Sequence, residues 1–502
     1  DVSGLDKILG SPDITLIHDM EKISRWEIYQ KEIQKALDEN RTVLFLNTDL
    51  DEAQKTETFL RQRFDCSIIF MHRRQRFKKG IEEWLKIKNQ KADIILGVRS
   101  AIFAPSQNLG LIIIDEEQSQ NYKNDQVPHY NSRDVALMRA TIEKTKVILA
   151  SSSPSLEMMQ LVKNKKINYL LLERKNYPEV QIIDMRQQRT FYKKREIIIS
   201  NTLQVAINQA LERKGKILLF INRKGFATFA YCRNCNFILR CPRCNVNLAY
   251  HFKENLLICH YCNYRQEPAM ICPECNSSYI RYSGMGIEKI ESELHRIFPR
   301  VKILKIERLK DMEENRIDIF ISTQIALKTK PASFDLVGVV SVDNSLNRID
   351  FRSAEKTYAL LAGLLGLAKE TLVIQTNIPT HYCFEALVKK DTNLFYDKEL
   401  LLRKQLGFPP FKHFISIQVR GKDWEKVESK AKQIFEKLHS KEKNKIGASM
   451  NVNPMQPAKL RDNFYWQILI KSANPKKSIK FIRGCIKDIS HSGITITIDV
   501  DP

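Results

Sequence analysis

Eight of the chain's eleven cysteines fall between Cys232 and Cys275, as four Cys-x-x-Cys pairs: Cys232/Cys235, Cys241/Cys244, Cys259/Cys262 and Cys272/Cys275. Two intervening residues let a tight turn aim both thiolates at one ion. A tetrahedral Zn²⁺ needs two such pairs, so eight cysteines fit two Cys₄ sites. Redox Cys-x-x-Cys motifs and free buried thiols are the alternatives, and four pairs within 44 residues weigh against both. Spacing alone does not fix which pairs share an ion. A nested arrangement would join Cys232/Cys235 to Cys272/Cys275 and enclose Cys241/Cys244 with Cys259/Cys262. Four thiolates leave no open coordination position, so the ions are expected to be structural and part of the segment's folding energy. His260 reads as a flank rather than a ligand. Phe237, Tyr250, Phe252, Tyr261 and Tyr264 either stack bases or form the mini-core around the metals, the second being the plainer reading.

The 502 residues include 81 Lys and Arg against 58 Asp and Glu, a net charge of +23. That length suits about three or four domains. A basic balance spread along the chain suits a nucleic-acid partner through phosphate neutralisation, with a Lys-rich composition bias as the alternative source. Hydrophobic residues make up 43%, which excludes a wholly disordered chain. No apolar run approaches the ~20 residues of a membrane helix. Residues 1–20 carry acids and no long apolar stretch, so no signal peptide and a cytoplasmic place are expected. Dense cysteines without a secretory signal point to metal. The first residue is Asp1 rather than Met, so a fragment or processed product is expected.

Short apolar runs recur at 14–17, 43–46, 68–71, 94–96, 111–114 and 147–149, several of them Ile/Val/Leu-rich without polar alternation, with helix-spaced segments such as 28–40 and 51–64 between them. Buried parallel strands read this way, and strands alternating with helices predict an α/β doubly wound domain. A second set lies at 217–221, 301–306, 317–321, 337–342 and 372–375, interrupted by the cysteine block. After about residue 400 the order predicted is strand 414–419, helix 424–438, strand 466–470, helix 476–489 and strand 494–500, a small α+β domain.

The pairs Cys-Arg-Asn-Cys, Cys-Pro-Arg-Cys, Cys-His-Tyr-Cys and Cys-Pro-Glu-Cys resemble the zinc insertion of the PriA family of bacterial primosomal replication-restart helicases. The flanks agree: FINRKGF at 220–226, GMGIE at 284–288, DFRSAE at 350–355, GVRSA at 97–101, DEEQ at 115–118, LGFPPF at 406–411, Trp466-Gln467 and the closing DVDP. The resemblance runs through essentially the whole chain. It implies two tandem RecA-like lobes of the P-loop NTPase type, a two-zinc insertion in the second lobe and a small α+β C-terminal domain. The expected segments are 1–165 for the first lobe, 166–230 and 278–395 for the second, 231–277 for the insertion and 396–502 for the last domain. It further implies the nested zinc pairing, with Cys232, Cys235, Cys272 and Cys275 on one ion and Cys241, Cys244, Cys259 and Cys262 on the other. Forked or single-stranded DNA, primosome and helicase-loading proteins, and single-stranded-DNA-binding protein are the implied partners. The family's N-terminal DNA-binding domains would precede the residues present here.

The nucleotide machinery departs from the family. A P-loop, G-x-x-x-x-G-K-[ST], cradles phosphates on backbone N–H groups. Here the corresponding stretch is His18-Asp19-Met20-Glu21-Lys22-Ile23-Ser24-Arg25-Trp26. Arg25 stands at the Lys position and Trp26 at the Mg²⁺ hydroxyl, and no glycine is left to form the cradle. No phosphate-binding residues are therefore assigned. Asp115 and Glu116 remain where Mg²⁺ and the attacking water would be held, and read as vestigial catalytic residues. Gln118 replaces His, Ala150-Ser151-Ser152-Ser153-Pro154 replaces Gly-Ser-Ala-Thr-Pro, and Thr329 replaces a Gly. Leu367 and Glu370 replace two arginines, of which such a finger is worth about 10³–10⁵ in rate. Of the aromatic pair expected after the acidic box, only Tyr130 is kept; Arg352 and Glu355 read equally as an ion pair or a DNA contact. The resulting expectation is a restart protein that binds DNA at stalled forks and helps reload the replicative helicase without ATP-driven unwinding. The alternatives are an active 3′→5′ helicase using ATP and Mg²⁺ through a divergent phosphate site, and a decaying product that keeps only its fold.

Overall fold

The computed structural model describes residues 13–72, 77–174, 176–187, 197–222, 229–232, 235, 237, 239, 241–242, 248–251, 255–258, 264–278, 280–283, 287–314, 317–328, 333–346, 350–442, 449–460, 462–487, 489 and 493–502. The chain divides into two compact units. One is Asp1–Tyr177 with Tyr358–Gly366 and Tyr396–Lys404; the other is Pro178–Thr357, Leu367–Phe395 and Gln405–Pro502.

Among the described residues, the first unit is built on seven strands, β1 (Ile14–Asp19), β2 (Thr42–Leu46), β3 (Ile68–Met71), β4 (Ile94–Gly97), β5 (Leu109–Asp115), β6 (Lys146–Ser151) and β7 (Asn168–Leu172). They are parallel, in the order β3-β4-β2-β5-β6-β1-β7. All five residues of β2 are buried, which is why its sequence shows no polar alternation. Helix Arg25–Asp38 packs Tyr29, Ile33 and Ala36 into the core beside Val43, Phe45 and Ile113. Gly97 of the GVRSA motif has no room for a side chain: a Cβ there would lie 2.5 Å from the Met71 carbonyl oxygen. Strand β7 lies beyond the expected boundary at 165. It is an edge strand whose apolar run Tyr169-Leu170-Leu171-Leu172 leaves Leu170 and Leu171 exposed. Tyr396 also belongs with this unit rather than with the C-terminal domain, because its hydroxyl donates to the Pro154 carbonyl at 2.9 Å from a buried position.

In the second unit, β8 (Glu179–Asp184) and β9 (Ile217–Ile221) precede the cysteine insertion. The insertion folds as an antiparallel sheet of β10 (Phe229–Cys232), β11 (Ala249–His251), β12 (Leu256–Ile258), β13 (Arg265–Gln266) and β14 (Ile280–Ser283). The chain then returns to β15 (Ile303–Lys305), β16 (Ile319–Ser322), β17 (Phe334–Ser341) and β18 (Ala368–Thr376). The resulting parallel sheet runs β15-β16-β9-β17-β18-β8. The two lobes are thus doubly wound parallel sheets of the RecA-like type, the second interrupted by the insertion.

The C-terminal sheet is antiparallel, β20-β21-β19-β22, from β19 (His413–Gly421), β20 (Ser449–Leu460), β21 (Asn463–Ser472) and β22 (Ile494–Val500). Helices Trp424–Glu442 and Pro475–Ile486 share its core with Ile417, Trp466 and Ile468. Strand β20 was not foreseen. It carries Pro454 and Pro457, which a sheet tolerates at an edge because the ring cannot donate to the ladder.

Candidate functional site

Strand β1 ends at Asp19, and helix Arg25–Asp38 begins six residues later. A helix N-terminus exposes backbone donors that readily take an anion. Here the anion is the chain's own: the Asp19 carboxylate accepts the Glu21 N–H at 3.1 Å and the Arg25 N–H at 3.0 Å. The Arg25 side chain is buried and runs toward the end of β5. Its guanidinium donates to Glu116 at 2.7 Å and lies 3.0 Å from Asp115. One helical turn on, the Tyr29 hydroxyl donates to the same Asp115 carboxylate at 2.8 Å. Lys22, in the left-handed region at φ 59°, sits 3.1 Å from Glu116.

Burial raises the Asp115 carboxyl above its ordinary value, opposed by Arg25 and reinforced by the Glu116 charge. Burial also acts to raise Glu116, but Lys22 and Arg25 together hold it well below the usual carboxylate range. Arg25 is held charged by Asp115 and Glu116 against its own burial. His18, behind this loop on β1, is pushed down to about 4 by burial, so it is neutral at pH 7. Its Nδ1 lies 2.9 Å from the Tyr169 hydroxyl.

The rest of the acidic box is tied inward. Glu117 accepts the Ser155 N–H at 2.7 Å, the Ser155 hydroxyl at 2.8 Å and Arg133 at 3.1 Å, fixing the start of helix Leu156–Lys163. Gln118 donates to Glu116 at 2.8 Å and accepts the Ser151 hydroxyl at 2.6 Å; Ser152 donates to Glu116 at 2.8 Å. Trp26 faces the core, its ring centroid 4.5 Å from Phe59 and 5.9 Å from Phe45. As folded, these residues do not fit a Mg²⁺–nucleotide: a guanidinium lies between the two carboxylates and a carboxylate caps the helix. The other worn positions are absorbed structurally. Leu367 is buried, and Glu370 pairs with Arg213 at 3.2 Å. Gly366 packs so that a Cβ would meet the Met20 carbonyl oxygen at 3.0 Å. Thr329 lies outside the described residues.

In the insertion, the sulfurs of Cys232, Cys235, Cys272 and Cys275 lie within 4.8 Å of one another. Cys232 is 3.6 Å from Cys275, and Cys235 is 3.6 Å from Cys272. Sulfurs around one tetrahedral Zn²⁺ stand about 3.8 Å apart, so this cluster fits the ion. Cys241 is buried in the small core with Leu239, Leu248 and Leu257. Its proposed co-ligands Cys244, Cys259 and Cys262 lie outside the described residues, as do His260, Phe252 and Tyr261. Phe237, Tyr250 and Tyr264 pack against that core.

Residues 241–266 match the PriA DNA helicase Cys-rich region, and residues 404–502 match the primosomal protein N C-terminal domain. Replication restart protein PriA of Rickettsia typhi is 33% identical over 83% of this chain and 67% of its own length. The chain belongs to the PriA family. The Bacillus subtilis PriA is 30% identical over 97% of this chain, which spans 64% of that relative. RecG bound to a three-way DNA junction resembles the fold at 12% identity over 79% of this chain and 45% of that one, with a TM-score of 0.42, too low to bear on function.

Several PriA-family segments find their places together. Phe351 of DFRSAE packs 5.7 Å from Phe408 of LGFPPF and 5.3 Å from Phe414. The Arg352 guanidinium lies over the Phe351 ring at 5.0 Å, while Asp350 pairs with Lys356 at 2.6 Å. Tyr130 stands edge-on to the exposed Phe103, 4.9 Å between centroids. The sequence reading missed the roles of Lys22, Tyr29 and Ser152. The signal for Tyr29 was present: spaced i, i+4 with Arg25, it shares one helix face.

Proposed function

We propose that this chain is a PriA-type replication-restart protein that binds forked or single-stranded DNA and helps reload the replicative helicase without ATP-driven unwinding of its own. The observation that carries the first half is similarity to PriA proteins along 97% of the chain. The Arg25 guanidinium between Asp115 and Glu116 supports the second. Asp115 and Glu116 are then vestigial. Two structural Zn²⁺ ions complete the fold, one on Cys232, Cys235, Cys272 and Cys275, the other on Cys241, Cys244, Cys259 and Cys262. Primosome proteins and single-stranded-DNA-binding protein are the expected partners, in the bacterial cytoplasm at the nucleoid. Among the described residues no helix is long and apolar enough to cross a membrane. The second reading, an active helicase using ATP and Mg²⁺, is favoured by the intact Asp115-Glu116 pair at the end of β5. Fluorescence anisotropy with forked and single-stranded DNA, with strand separation followed in the same samples, tests both. Binding without ATP-dependent separation supports the proposal; unwinding supports the second reading, and no DNA binding refutes both.

A further inference from the structure

The mismatch between the family's metal–nucleotide site and the residues present goes further than loss. We propose that the chain supplies both ligands itself: Arg25 is a resident substitute for the divalent cation, and Asp19 for the phosphate. The Asp115–Glu116 pair is then a cation site kept shut by a side chain. The inference rests on the reading that this site takes no nucleotide.

Asp19 sits at the helix N-terminus with two backbone N–H groups on its carboxylate, the contacts a phosphate oxygen would otherwise make. Arg25 bridges both carboxylates at 3.0 and 2.7 Å, as a cation shared between them would. The guanidinium is only 2% exposed, and its backbone N–H is tied to Asp19, so both substitutes are fixed by one residue. The carboxylates are 15% and 14% exposed, too deep to stand together without a positive charge. Lys22, 33% exposed, reaches Glu116 from outside and does not reach Asp115 in the same way. A divalent ion at the pair would lie beside a fixed, buried positive charge, so the native chain excludes it. Removing Arg25 leaves a vacated volume faced by the Asp115 carboxylate, the Tyr29 hydroxyl and Glu116 Oε1, hard oxygens suited to Mg²⁺ or Mn²⁺, while Lys22, Gln118 and Ser152 stay on the other Glu116 oxygen.

The test uses the full chain and Mn²⁺ alone, read by electron paramagnetic resonance and by the thermal unfolding midpoint. The native protein is expected to show no change in midpoint with Mn²⁺ and no slowly exchanging ion. Arg25→Ala should unfold at lower temperature, recover on adding Mn²⁺ and hold about one ion per chain. The variant R25A/D115N/E116Q should fold and ignore Mn²⁺. Should R25A alone be unfolded, Mn²⁺-dependent refolding supports the proposal; failure to refold while the triple variant folds overturns it. Equal Mn²⁺ response in native and R25A protein also overturns it. Binding of ATP by the native chain would instead refute the underlying reading, whereas no ATP binding with an unresponsive R25A would refute this inference alone.

Discussion

The guanidinium of Arg25 donates to the Glu116 carboxylate at 2.7 Å, joining the turn after β1 to the end of β5 across 91 residues of sequence. Both groups are largely out of water, so the pair is costly to break from one side only. Arg25→Ala should lower stability by about 3–5 kcal/mol, the range for stranding a buried partner. Lys22→Ala, at the exposed edge of the same cluster, should cost about 1 kcal/mol or less. Urea denaturation measures both. Similar losses from the two would mean that Arg25 is not the group holding the acids.

His18 gives the first unit an acid-side weakness. Its pKa is pushed from the ordinary 6.5 down to about 4 by burial. Between those values the unfolded chain binds a proton that the folded chain does not, so stability falls as pH drops from 6.5 toward 4 and levels off below it. The full effect is about 3 kcal/mol. Glu116, depressed by Lys22 and Arg25, loses its contribution in the same direction at lower pH, whereas Asp115, raised by burial, acts oppositely. His18→Gln should flatten the stability profile between pH 4 and 6.5, as followed by urea midpoints. A parallel profile in the variant would remove His18 as the cause.

Replacing Cys272 with Ser should release about one Zn²⁺ per chain and expose the insertion core around Leu239, Leu248 and Leu257. The two parallel sheets, with separate cores, should stay folded. Metal analysis with limited proteolysis reads this out. Unchanged zinc content would contradict the Cys₄ assignment.

Helix Pro475–Ile486 carries Lys476, Lys477, Lys480 and Arg483 on its exposed side and no acidic residue. If it tracks a duplex phosphate backbone, each cation contributes close to one unit of salt dependence. The variant K477Q/K480Q/R483Q should weaken DNA binding and reduce the slope of log K against log salt by about 2–3. An unchanged slope would place the DNA contacts elsewhere.

The interior strands were legible because burial on both faces leaves only Ile, Val, Leu and Phe, as in Val43-Leu44-Phe45-Leu46. Edge strands were read unevenly. β3, β15 and β22 lie at sheet edges and match the runs expected at 68–71, 301–306 and 494–500; β7 was passed over although Leu170-Leu171-Leu172 is apolar, and in β20 two prolines disguise a strand whose outer ladder needs no donor. The cysteines announced metal by spacing, yet all four pairs have the same spacer, so spacing alone left the pairing open; the family resemblance implied it, and the fold brings Cys232 and Cys235 to Cys272 and Cys275. The lost P-loop glycines could be read directly. That Arg25 folds back onto Asp115 and Glu116 could not, because that contact depends on how β1 and β5 lie in the sheet rather than on local sequence.

The most direct test of the account is ATP binding by the native full chain, measured by calorimetry with Mg²⁺ and repeated as hydrolysis in the presence of forked DNA. The account predicts no binding heat and no DNA-stimulated phosphate release. Saturable binding with DNA-stimulated turnover, abolished by Asp115→Ala or Glu116→Ala, would contradict it and show that Arg25 leaves these carboxylates to admit a nucleotide.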